Sequence, residues 1–144
     1  MVGWIIVSRQ HDRRERRKEI RDLIKLIELR VDEVLKNATE YYTLDGDDPK
    51  CQAIASKIRY GINGIDPLQK RLRVAGLDAK ISDELVVFRQ AVTGGSFDSS
   101  ARKKNDSYGS IMAEAAAAGF QLVGKLEEKY FAAFPTKMKS FRLF

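Results

Sequence analysis

Histidine and cysteine, two residues often used as proton carrier and nucleophile, occur once each in this chain, as His11 and Cys51. Imidazole and thiol serve as general base and nucleophile when they are held side by side. His11 lies among arginines, in Arg9-Gln10-His11-Asp12-Arg13-Arg14. Nearby cations depress its basicity and make it a poor metal ligand. Cys51 follows Lys50 at the expected start of a helix, where the dipole favours a thiolate. With no second histidine as its base, it reads as a buried or idle thiol. Zinc bound by one histidine and one cysteine would need carboxylates for its other positions, and no spacing supplies them.

Two loops also invite a chemical reading. Asp45-Gly46-Asp47-Asp48 lacks the spacing of a calcium loop and suits a helix start instead, with Asp48 as N-cap and Pro49 as first helical residue. Gly94-Gly95-Ser96 lacks the order that wraps a phosphate, so the glycines read as helix end and hinge. The neighbouring Arg102-Lys103-Lys104 reads as three solvated loop cations, with phosphate binding as the weaker alternative. No catalytic, cofactor-binding or metal-binding residue is assigned, and the chain is expected not to be an enzyme.

What remains is the distribution of charge. Arg9, Arg13, Arg14, Arg16, Arg17 and Lys18 fall within ten positions, directly behind the apolar stub Val2-Gly3-Trp4-Ile5-Ile6-Val7. An aromatic-apolar stretch that ends in a basic run is the pattern of a membrane helix on its cytoplasmic side. The stub is far shorter than the roughly 20 residues a spanning helix needs. Either it belongs to a longer anchor or it lies on a surface. The net charge of +6 does not form one basic face, because residues 31–50 carry six acidic side chains against two basic ones.

The elements that would hold these residues are helices. Ile20, Ile24, Ile27, Val31, Val34, Ala38 and Tyr41 recur with the spacing of one buried seam. Run backwards, the same stripe meets Arg16, Arg13 and Arg9. A core does not accept three unpaired guanidinium groups, so residues 9–18 should stand clear, as a solvated helix end or as a basic spacer at a phospholipid surface. A second pattern, Ile54, Ile58, Gly61, Ile65, Leu68, Leu72 and Ala75, should break or kink near Gly64, ahead of Pro67, and stop at Gly76. Ser82 should cap a short third helix. A fourth should run from about Ser107 to Phe134, with a seam of Met112, Ala116, Gly119, Val123, Leu126 and Tyr130, and Ile111, Ala115, Ala118 and Leu122 beside it. Tyr41-Tyr42 and Tyr130-Phe131 should close the ends of the core, a ligand pocket being the alternative.

The expected fold is therefore all-α: an antiparallel four-helix bundle with a long protruding N-terminal helix. Residues 1–18 form the stub and spacer, 19–135 the bundle, and 136–144 a basic-aromatic tail. In arrangement only, the chain resembles bacterial proteins with one N-terminal anchor, a basic stop and a helical cytoplasmic body. That likeness rests on residues 2–18 and transfers no activity; the expected role is a non-enzymatic interaction domain on the cytoplasmic side of the inner membrane. Its expected partners are an anionic membrane surface and a protein or a second copy, the latter through the off-seam pair Leu26 and Leu29. Nucleic-acid binding through Arg9–Lys18 also accounts for the charge, but not for the adjoining Trp4, Ile5, Ile6 and Val7.

Overall fold

The computed structural model describes residues 2–94, 97, 102 and 108–135, with the backbone alone for residues 2–11. The described residues form helices α1 (Val2–Tyr42), α2 (Lys50–Asn63), α3 (Ile65–Ala75), α4 (Ser82–Thr93) and α5 (Tyr108–Ala133), with no strand. The molecule is all-helical. α1 packs along α2, α3 and α5, and α4 packs on α5.

The seam of α1 is the spine of the core. Its seven expected positions, Ile20 through Tyr41, are all buried, with Leu23 and Tyr42 joining them. Close approach is set by two glycines. A Cβ on Gly61 would sit 2.7 Å from Val34, so α2 meets α1 at its backbone; one on Gly119 would lie 3.0 Å from Val31 and 3.3 Å from Phe88. The break after α2 falls at Gly64, as the proline two residues into α3 requires. Gly76 ends α3 in the left-handed region, φ +115°, with the Leu77 N–H donating to the Leu72 carbonyl and the Gly76 N–H to that of Arg73.

Several local expectations shift. α2 begins at Lys50 instead of Pro49, yet Asp48 still does the capping, since its Oδ1 accepts the Lys50 N–H at 2.9 Å. Ser82 is not a cap: it is the first residue of α4, and its hydroxyl lies 3.4 Å from the Gln69 amide nitrogen, whose residue is buried. In α5 the buried row is Ala115, Ala118, Gly119, Leu122 and Leu126, while Met112, Ala116, Val123 and Tyr130 are half-buried. The helix is rotated toward its alanines. Small side chains let α5 approach α1 and α4 more closely than the bulkier row would.

Candidate functional site

α1 continues as helix through the whole basic run, but the character of its seam changes at one residue. Ile20 is fully buried, and every side chain from Asp12 to Glu19 is exposed. Arg13, Arg14, Arg16, Arg17 and Lys18 are thus all open to solvent. For Trp4, Ile5, Ile6, Val7, Arg9 and His11 only the helical backbone is described. The basic-aromatic tail at 136–144 lies outside the described residues. The projection is shorter than the run itself, because Arg16 and Arg17 already reach the bundle. The Arg16 side chain lies against Gly76, where a Cβ would be 3.4 Å from its Cδ; the Arg17 guanidinium sits 5.2 Å above the Phe134 ring.

The charges on this segment are sorted by side. At about 100° per residue, Asp12, Glu15, Glu19 and Asp22 share one arc, while Arg14, Arg17 and Arg21 occupy another. The acidic row lines an open groove toward α3, together with Arg16, Lys18, Arg71 and Val74. The basic row lies toward α5. There Arg21 stacks on Tyr130 at 5.0 Å and pairs with Glu127 at 2.8 Å. Tyr130 also meets Phe131 and Phe134 at 5.6 and 5.3 Å between ring centres. Of the two leucines singled out as a partner surface, Leu26 is 43% exposed at the edge of the α3 groove, and Leu29 is 62% exposed.

Three acid–base groups meet just below this end. The carboxyls of Glu28 and Glu127 hydrogen-bond to each other while Arg21 holds Glu127. Burial, then the hydrogen bond to Glu127, raises the Glu28 carboxyl above its ordinary range. Burial would raise Glu127 too, but its hydrogen bonds to Glu28 and Arg21 outweigh that and hold it low. Sequence spacing offered no sign of this pair, since 99 positions separate the two residues.

At the opposite end of α1 the thiol and the loop cation come together. Cys51 is buried, and its thiol donates to the Asp45 carbonyl at 3.1 Å. Burial pushes the thiol up, with the Arg102 charge acting the other way. Cys51 is the buried thiol that its lack of a histidine partner suggested. Arg102 corrects an expectation. It is only 3% exposed, its guanidinium lies 4.3 Å from the Tyr41 ring centre and 5.3 Å from that of Tyr42, and it donates to the Leu44 carbonyl at 2.8 Å. It is a structural clamp, not a solvated cation. Tyr41 and Tyr42 close the core edge to face at 5.0 Å, the Tyr42 hydroxyl donating to the Val92 carbonyl. Lys103 and Lys104 lie outside the described residues.

Among the described residues no group of three or more histidine, cysteine, aspartate or glutamate side chains is placed to hold a metal ion, and no helix is long and apolar enough to cross a membrane. Comparison with family models, with curated proteins and with solved structures yields no match. The meaning of the site rests on its own residues.

Proposed function

We propose that this chain is a non-enzymatic helical interaction domain held at the cytoplasmic face of a membrane, the inner membrane in a bacterium, by its N-terminal segment. Trp4, Ile5, Ile6 and Val7 enter the bilayer interface, whether as a surface stub or as the end of a longer anchor. Arg9, Arg13, Arg14, Arg16, Arg17 and Lys18 lie among anionic head groups. The body behind them is an antiparallel four-helix bundle, with α2 and α3 counting as one broken rod.

The observation that carries this reading is the switch on α1. One unbroken helix passes from a fully buried seam at Ile20 to eight consecutive exposed residues, five of them cationic. Each basic side chain close to an anionic surface contributes on the order of 1 kcal/mol, so several of them with the apolar stub give useful binding. The acidic row at Asp12, Glu15, Glu19 and Asp22 interrupts any continuous basic face on this helix, which weighs against a nucleic-acid groove. The reading as a non-enzyme draws support from Cys51, whose thiol is buried and engaged. Co-sedimentation with anionic vesicles, with and without residues 1–18, tests the proposal. Loss of binding on removal is expected; equal partitioning of both chains would contradict it.

A further inference from the structure

We propose that the C-terminal end of α5 is a second membrane contact, in which Phe131 enters the interface of an anionic phospholipid bilayer while Arg14 and Arg17 bind its phosphates. This rests on the reading of the basic segment as a lipid-facing element, and it names a part of the bundle that the segment works with.

Phe131 is 51% exposed on the last turns of α5. Beside it, the Phe134 ring lies under the Arg17 guanidinium and the Tyr130 ring under that of Arg21. Stacking fixes both arginine planes over aromatic faces. The result is a surface with cations beside an exposed ring, the combination by which an amphipathic element lies at the boundary between head groups and acyl chains. Charge complementarity selects the occupant. Phosphodiester head groups are negative, and the nearest acidic row points to the other side of α1, toward α3. Glu127 is neutralised by Arg21 at 2.8 Å. Glu128, exposed one turn before Phe131, is the opposing charge on this face. Because α1 enters the bundle here, a bilayer that holds Arg13 and Arg14 is also within reach of Phe131.

α5 carries its own control. Phe120 is 77% exposed and eleven residues earlier, on nearly the same face but about 17 Å farther from this end. It is too distant to share the contact. A lipid surface that merely adsorbed exposed aromatics would use Phe120 as readily as Phe131.

Partition of the full chain onto phosphatidylglycerol-containing vesicles tests the assignment. Phe131→Ser is expected to weaken partition by about five- to tenfold. Phe131→Leu should hold it within about twofold, Phe120→Ser should leave it unchanged, and Glu128→Gln should strengthen it. A fluorophore on Phe131→Cys should shift to the blue when vesicles are added. The half-exposed position makes these variants foldable, and circular dichroism checks that they are. If Phe131→Ser binds like the wild type while neutralising Arg13–Lys18 releases the protein, the second contact is wrong and the anchoring role of the segment stands. If the unaltered chain ignores anionic vesicles, both are wrong.

Discussion

Arg102 and Glu28 are the two residues whose behaviour departs furthest from their type. A cation in a polar loop is ordinarily hydrated, but Arg102 exchanges water for two aromatic faces and the Leu44 carbonyl. Replacing it with methionine keeps bulk and removes the donors, so the expected loss is about 2–3 kcal/mol in a urea unfolding experiment. Lysine should not restore it, because an ammonium lacks the planar fork that stacks and donates together. Glu28 gives a pH dependence. Its carboxyl is raised, so its favourable contribution is present below the ordinary carboxylate range and is lost as pH rises through the raised value. Glu127 is lowered, so its contribution is present above the ordinary range and is lost as pH falls through the depressed value. The pair is most favourable between the two. Glu28→Gln fixes the protonated form, and it should raise Tm near neutral pH while having little effect in weak acid. Thermal scans across pH measure this. A lower Tm at neutral pH would show that the Glu28 charge is stabilising. None of this was legible in sequence, because both effects depend on groups that only the packing brings within reach.

Among the helices, α1 was the most legible and α5 the least. Isoleucine and valine at 4-3 spacing alternate sharply with charge on α1, so the phase of its buried face is unambiguous. The same contrast exposed the switch at Ile20, since three guanidinium groups in line with a core can only leave it. On α5 the run Ala115–Ala118 followed by Gly119 is small and apolar on every side, which flattens the pattern and leaves its phase open by one residue. Ser82 misled for a different reason: its hydroxyl has a neighbour in Gln69, which local sequence does not show. The glycine on the α2 pattern is a site of close approach. Gly61→Ala gains about 1 kcal/mol of helix propensity but places a methyl 2.7 Å from Val34. Overpacking of this kind costs about 1–3 kcal/mol, so a small net loss is expected. Val34→Ala in the same chain should relieve the clash, and denaturant unfolding of the two single variants and the double one should reveal favourable coupling. Additive losses would mean that α2 simply moves away.

For the molecule as a whole, the distribution of exposed groups matters more than any cavity. The Leu26 and Leu29 side chains leave a modest apolar surface on the outer face of α1, suited to weak pairing of two copies about a two-fold axis. Light scattering over a concentration series should show self-association that Leu26→Glu/Leu29→Glu removes; a monomer at every concentration would leave only a different protein as the partner of this face. The end of the bundle where α1 projects is a separate surface with a separate occupant. The property proposed for it is electrostatic anchoring, and the most direct measurement is the partition coefficient of the full chain on phosphatidylglycerol-containing vesicles across a salt series. It should be compared with a chain in which Arg13, Arg14, Arg16, Arg17 and Lys18 are all glutamine. At about 1 kcal/mol for each charge, the wild type should bind at least about a hundredfold more tightly at low salt, and the difference should shrink as salt screens the surface. Equal binding of the two chains at low salt would contradict membrane anchoring by this segment.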